Sequence, residues 1–169
     1  MKVSECVRLR RAIREFQQRE VPEEVLREIL EAGRLSPSAK NTQPWHFIII
    51  RDPATLQKLT QCTPSGNHLT KAPVAIAVVM DNAKYPMLDG ARVIQNMTLV
   101  AWEHGVGACW IANWDEAKAK EAIGVPAGME LISIMPYGYP SEGPRVARSK
   151  ERRGLGDMVH REKYGTPYY

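Results

Sequence analysis

Two stretches of the chain carry residue types and spacings suited to holding a ligand. Arg8-Leu9-Arg10-Arg11-Ala12-Ile13-Arg14-Glu15-Phe16 sets four guanidinium groups between positions 8 and 14 with no acid among them. Arginine forms bidentate, charge-assisted bonds to phosphate, so Arg10, Arg11 and Arg14 together could hold a phosphorylated cofactor more firmly than scattered lysines would. A solvated basic helix face is the plainer use of the same residues. Further along, Ser36-Pro37-Ser38-Ala39-Lys40-Asn41-Thr42-Gln43-Pro44-Trp45-His46-Phe47 packs small hydroxyls, amides and two prolines into one loop. Ser38, Asn41 and Gln43 offer donors and acceptors on short arms for a polar planar ligand, and Trp45 and Phe47 anchor the strand that follows. Such clusters between a helix and a strand also make ordinary turns.

Taken together and in this order, the two stretches resemble the FMN-dependent nitroreductase family. Its members open with R-R-[S/A]-[I/V]-R-x-[F/Y], here residues 10–16, and continue with [A/S]-P-S-x-x-N-x-Q-P-W-x-[F/Y], here residues 36–47. The likeness runs on through Asp89-Gly90-Ala91-Arg92-Val93-Ile94-Gln95-Asn96-Met97 and Gly105-Val106-Gly107-Ala108-Cys109-Trp110-Ile111. It reappears in Arg148-Ser149-Lys150-Glu151-Arg152-Arg153-Gly154-Leu155 and Val159-His160-Arg161-Glu162-Lys163-Tyr164, which look like the family's basic phosphate segment and closing helix.

The resemblance implies an α/β (α+β) fold, a three-layer α-β-α sandwich of the nitroreductase type, in an intertwined homodimer with flavins at the subunit interface. It implies one FMN-binding domain over residues 1–169, with residues 145–169 reaching across the dimer. It assigns Arg10, Arg11, Lys150 and Arg152 to the FMN phosphate and ribityl chain, beside the backbone amide of Ala12, which replaces a serine common in the family. Gly154 likewise stands where a proline is common. Arg14 corresponds to the basic residue near flavin N1 and the C2 carbonyl, where a fixed cation favours the reduced ring. Pro37, Ser38, Ala39 and Asn41 would approach the ring from the partner subunit, Asn67 would reach its pyrimidine edge, and a backbone N–H of Ala112 or Asn113 would approach N5. The implied activity is ping-pong reduction of nitroaromatics, quinones or similar acceptors by NADH or NADPH. No side chain then needs to act as nucleophile or general acid. No Gly-x-Gly-x-x-Gly follows a strand, so the nicotinamide would be a transient visitor over the flavin.

The elements that must position these residues are legible in the sequence pattern. Pro22, Glu23 and Glu24 start a helix whose Val25, Leu26, Ile29 and Leu30 share a face and which ends near Gly33. Residues 46–50 read as a strand, Asp52-Pro53 opens a helix to about residue 61, residues 63–71 are irregular, and residues 74–80 form a buried strand. The longest helix spans about 87–103 and stops at Gly105. Residues 109–112 read as a short strand, 115–123 as a helix and 129–135 as a strand. Helices alternating with strands indicate layered packing.

Composition narrows the class. The 169 residues are 44% hydrophobic and 25% charged, ordinary for one globular domain. The apolar run 74–80 is too short to span a bilayer and the first residues lack a signal peptide's apolar core, so the expectation is a cytoplasmic protein without a membrane partner. Cys6, Cys62 and Cys109 read as free thiols, and His46, His68, His104 and His160 lack metal-ligand spacing, so no metal is expected. The net charge of +4 resides wholly in the tail, where residues 145–163 hold seven basic and three acidic side chains. Two alternatives compete. One is an FMN-binding relative with another reductive task, such as dehalogenation or flavin handling. The other is a small basic nucleic-acid-binding module using residues 8–14 and 145–153, for which the 36–45 loop would have no role. The reading favoured here has no nucleic-acid partner.

Overall fold

Seven consecutive residues, Val74–Met80, form strand β2, and every one of them is buried. That pattern requires cover on both faces, and the surrounding elements supply it. The computed structural model describes residues 1–141 and 151–169. In chain order the elements are α1 (Val3–Leu9), α2 (Glu23–Arg34), β1 (Trp45–Ile50), α3 (Pro53–Thr60), β2, α4 (Pro86–Glu103), β3 (Gly107–Ala108), α5 (Glu116–Ala122) and β4 (Glu130–Gly138). The strands make one antiparallel sheet in the order β1-β2-β4-β3.

Alternation along β2 divides the core in two. Val74, Ile76, Val78 and Met80 join Leu26 and Ile29 of α2 and Val93, Ile94, Met97 and Ala101 of α4. Ala75, Ala77 and Val79 join Leu56 and Leu59 of α3 and Ala119 of α5. Helices therefore lie on both faces of the sheet, and the expected three layers are present. Each fully buried Leu or Ile contributes roughly 1.5–3 kcal/mol through area removed from water. The absence of polar alternation in β2 follows from this double cover, in an antiparallel sheet as it would in a parallel one.

Local signals explain the helix ends. The Asp52 carboxylate accepts from the Thr55 N–H at 2.9 Å and the Thr55 hydroxyl at 2.6 Å, which holds its pKa below the usual carboxylate range and caps α3. Gly105, at φ 74°, lets the chain reverse after α4 where a side chain would be strained.

Three expectations differ from the structure. The strand expected at 109–112 is absent, and β3 ends at Ala108. The Ile111 carbonyl is taken by the Trp114 indole N–H at 2.7 Å and the Ser133 hydroxyl at 2.8 Å, so side chains and not a ladder satisfy it. β4 continues past residue 135 to Gly138, and β3 pairs only with Tyr137 and Gly138, so Pro136 has no strand residue opposite it on that edge. The closing helix implied for residues 159–164 is a tight reversal instead. His160 bridges Pro167, the Arg161 N–H donates to the Thr166 carbonyl at 2.8 Å, and Glu162 and Gly165 take positive φ. A glycine and a proline that close this short turn leave no room for a helix. α1 is an addition that the sequence reading did not specify.

Candidate ligand cleft and its supporting loop

The arginine-rich segment begins where α1 ends. Arg11 turns back, and its Nη1 donates to the carbonyls of Arg8, Leu9 and Arg10 at 2.9, 3.0 and 3.0 Å. It thereby satisfies the unpaired carbonyls of the last helical turn. Beyond it the chain is extended along the sheet edge. Ala12 bridges Ala108, the Ile13 N–H donates to the Ala108 carbonyl at 3.0 Å, and the Gln17 N–H donates to the Tyr139 carbonyl at 2.8 Å. In an extended chain alternate side chains share a face. Arg10, Ala12 and Arg14 therefore line one cleft, whereas Arg11 is absent from its lining.

The opposite wall is the Ile94, Gln95 and Thr98 face of α4, and the chain leaving β3 adds Cys109 and Trp110. The cleft has a volume of about 250 Å³. Among the described residues its lining holds two guanidinium groups and no acid, a donor set suited to an anionic ligand. Arg14 has no carboxylate partner among the described residues, because the neighbouring Glu15 pairs with Lys71 at 2.5 Å. Ile13 packs the other way, so close to β3 that a Cβ on Gly107 would lie 2.3 Å from Ile13 Cγ1 and 2.7 Å from its Cβ. Close approach of the Ile13 side chain to the Gly107 backbone, and not left-handed geometry, is the reason for glycine at position 107.

The electrostatics around Arg14 are one-sided. Burial pushes the Cys109 thiol up, outweighing the nearby guanidinium, so it remains protonated at neutral pH. Burial, then Arg14 and Lys71, lower the pKa of His68, leaving a neutral imidazole whose buried Nε2 has no hydrogen-bond partner among the described residues. Arg14 is thus a cation without a carboxylate partner among the described residues, in a cleft that the aromatic, partly exposed Trp110 also lines.

The 36–44 loop sits against α4 and is tied to it in two places. Asn96 Nδ2 donates to Ser36 Oγ at 2.9 Å, and the Ala39 N–H reaches both oxygens of the buried Asp89 carboxylate at 3.3 Å. Within the loop the Gln43 N–H donates to Ser38 Oγ at 2.9 Å and the Thr42 hydroxyl to the Ala39 carbonyl at 3.1 Å. Lys40, Asn41 and Gln43 have φ of 54°, 57° and 51°. Asparagine tolerates that region, but lysine and glutamine there cost roughly 1–2 kcal/mol each.

The site residues expected from sequence fall into separate groups. Arg10, Ala12 and Arg14 meet at the cleft, while Pro37, Ser38, Ala39 and Asn41 lie in the α4-bound loop and do not line it. Asn67 is exposed, with its carbonyl accepting from the Thr70 hydroxyl at 3.4 Å, and Ala112 and Asn113 are exposed past the cleft's Trp110. Arg152 is exposed in the tail, and Lys150 lies outside the described residues. The cleft also recruits Ile94, Gln95, Thr98, Cys109 and Met135, which the sequence reading did not place there. Ile94 also belongs to the core, and the polar Gln95 and Thr98 bordering that face are the sign in the sequence of a second use.

Comparison with known proteins bears on the family and the fold. The nitroreductase family model matches residues 7–139. A Methanothermobacter thermautotrophicus protein named as an NADH dehydrogenase/NAD(P)H nitroreductase is 36% identical, over 97% of this chain and 88% of its own length. Among solved structures, an FMN-dependent nitroreductase from Clostridium difficile is 28% identical with a TM-score of 0.82, covering 94% of this chain and 98% of that one. The NADPH:FMN oxidoreductase of Vibrio harveyi, solved in complex with NAD+, shares the fold at a TM-score of 0.85 and 21% identity, over 96% of this chain and 77% of that one. From the Arg-lined cleft through β4, the chain belongs to the nitroreductase family.

Proposed function

We propose that the chain is an FMN-dependent oxidoreductase that draws electrons from NADH or NADPH and delivers them, by a ping-pong mechanism, to nitroaromatic, quinone or similar small acceptors. The observation that carries this reading is the alternation of Arg10, Ala12 and Arg14 onto a cleft free of acids and bordered by Trp110. That donor set fits a phosphorylated, planar aromatic cofactor. Bound FMN would supply the hydride chemistry. Arg10 would hold the phosphate, with Lys150 and Arg152 of the tail as further cations. Arg14, lacking a carboxylate partner among the described residues, would stabilise negative charge gathering at the ring's pyrimidine end. Asn67 would add a contact at that edge, and the Ala112 or Asn113 amide one near N5. Arg11 serves the end of α1 through Nη1 and could reach a phosphate only with its remaining nitrogens.

The reading extends to a homodimer. A cleft of about 250 Å³ is below the range of complete cofactor pockets, and the loop bearing Pro37, Ser38, Ala39 and Asn41 does not face it. A second copy presenting that loop would complete the site. Exposed apolar side chains favour such a partner. Val3, Val7 and Leu9 on α1 are 73, 58 and 51% exposed, and Tyr85, Met87 and Leu88 at the start of α4 are 45, 58 and 58% exposed. Leu155, Met158, Tyr164, Tyr168 and Tyr169 are likewise exposed, as suits a tail within one domain that reaches across to the partner. Three buried free thiols suit the reducing cytoplasm. The basic-module alternative is weakened because the Arg11 guanidinium faces helix carbonyls and Arg10 and Arg14 face a cleft.

The test is the visible spectrum of the purified protein after incubation with FMN and desalting, repeated anaerobically with NADH and with NADPH. Flavin bands stoichiometric with the chain that bleach with nicotinamide are expected. A protein that retains no flavin would overturn the reading.

A further inference from the structure

Asp89 is the only carboxylate among the buried side chains of the described residues, with 1% of it exposed. A buried carboxylate is costly unless its charge is answered, and here three groups answer it. Arg92, one turn further along α4, donates Nη1 at 3.0 Å. The Ala39 N–H lies 3.3 Å from both oxygens. The first turn of the 18-residue α4 surrounds it with the positive end of the helix dipole. What the acid uniquely reaches is the amide that opens the left-handed run at Lys40 and Asn41.

We propose that Asp89 is a positioning residue for the cofactor, its buried carboxylate clamping the Ala39 amide so that the 36–43 loop keeps its strained, left-handed path and presents Pro37, Ser38, Ala39 and Asn41 pre-shaped to the flavin. The inference rests on the FMN reading above. Backbone strain persists where the surroundings over-determine it, and such strain concentrates at ligand sites. The clamp supplies that determination from the helix whose Ile94, Gln95 and Thr98 line the chain's own cleft. α4 thus holds the loop by one surface and the cofactor cleft by another, so that loop and cleft keep a fixed relation. The second tie, Asn96 to Ser36, works in the same direction from two turns further along.

The experiment compares Asp89→Asn with the wild-type full-length protein. FMN affinity is read from flavin fluorescence quenching, the ring environment from visible circular dichroism, and loop order from amide hydrogen exchange of the flavin-free protein. The amide of the variant can turn an N–H toward Ala39 or Arg92 and lacks the charge, so exchange in residues 39–43 accelerates while β2 remains protected. The FMN Kd rises about tenfold, equivalent to about 1.4 kcal/mol. In that background Lys40→Asn, which eases the left-handed residue, restores part of the affinity. Unchanged loop exchange, Kd and dichroism with a lowered melting temperature would show that Asp89 only secures α4, and would overturn the proposal. Absence of any rescue by Lys40→Asn would refute the strain-holding role. If Asp89→Asn does not fold, Asn96→Ala tests the same loop through the less buried tie and is expected to loosen it and weaken FMN in the same sense. A wild-type protein that binds no FMN would sink the cofactor reading, while exchange at residues 39–43 would still report on the clamp.

Discussion

Gly107→Ala places one methyl group where the extended arginine segment meets the sheet edge. The new Cβ would lie 2.3 Å from Ile13 Cγ1, 2.7 Å from Ile13 Cβ and 3.2 Å from Cγ2. A rotamer change can move Cγ1, but Cβ is fixed to the backbone, so the segment itself must retreat by roughly 1 Å to reach ordinary contact. Retreat stretches the 3.0 Å bond from the Ile13 N–H to the Ala108 carbonyl. Overpacking of this kind costs about 1–3 kcal/mol, which for a chain of this length lowers the melting temperature by roughly 4–8 °C at 2 kcal/mol. The sharper consequence is functional. Ala12 and Arg14 flank Ile13 and move with it, so charge-assisted bonds from the cleft arginines lengthen by a similar distance. Losing most of one such bond, about 1.5–3 kcal/mol, weakens FMN by roughly 10–100-fold. Titration of FMN into Gly107→Ala, alongside thermal unfolding, measures both effects. The double variant with Ile13→Gly, which removes the obstructing Cβ together with its branches, recovers at least about 1 kcal/mol of the binding loss as coupling. If Gly107→Ala loses stability but binds FMN as the wild type does, the cleft is not set by this contact and the reasoning fails.

Three further outcomes follow from the same geometry. Arg14→Gln removes the cation without a carboxylate partner and lowers the potential of the bound flavin, by about 30 mV for each 1.4 kcal/mol lost from the reduced state; equilibration with reference dyes measures it, and an unchanged potential would contradict the role given to Arg14. His68 has a folded pKa depressed below its ordinary value of 6.5, first by burial and then by Arg14 and Lys71, so the folded state binds its proton at lower pH than the unfolded state does. Its stabilising contribution is complete above about pH 6.5 and is lost as pH falls through the depressed value, and urea unfolding of His68→Gln should show a flatter stability profile between about pH 7 and 5. Tyr137 buries a hydroxyl without a hydrogen-bond partner among the described residues, and Tyr137→Phe is expected to leave stability unchanged or raise it by up to about 1 kcal/mol; a loss above about 2 kcal/mol in denaturant titrations would mean that Thr98 or an internal water satisfies that hydroxyl.

The parts of the fold that were legible in sequence are those governed by local or strongly periodic rules. The apolar run of β2, the proline and acids opening α2, the Asp52 cap and the apolar face of α4 each state their structure within a few residues. The parts that escaped depend on partners distant in the chain. Residues 109–112 have strand composition, yet Trp114 and Ser133 claim the carbonyl that a ladder would need. Arg11 is chemically equal to Arg10 and Arg14, and only its odd position in an extended segment, next to the open end of α1, turns it away from the cleft. Residue identity pointed to the ligand type, whereas alternation relative to β3 decided which arginines could reach it. Gly107 shows the same limit from the other side. Its constraint is a side chain more than ninety positions earlier in the chain, which no local pattern around it announces.

The placement of the two ligand-type stretches has a consequence for how the site can evolve and be regulated. The Arg10–Arg14 segment is anchored to β3 and lines a cleft with Ile94 and Thr98 of α4, while the 36–43 loop is anchored through Asp89 and Asn96 on the same helix. In the proposed dimer each α4 would therefore support a cleft for its own flavin and a loop for the other subunit's. A substitution that tilts α4 would disturb both sites at once, whereas one that alters Trp110 at the cleft would change how the ring and its acceptor are covered without loosening the loop. Mixed dimers can separate these cases. A dimer of one Arg14→Gln chain and one Asp89→Asn chain concentrates both lesions in a single site if the loop is exchanged between subunits, leaving the other site intact. The same pair distributes one lesion to each site if each chain uses its own loop. Half the flavin bound at wild-type affinity is the signature of exchange, and no site of wild-type affinity, each carrying its own lesion, would require the loop and cleft of one chain to close on each other.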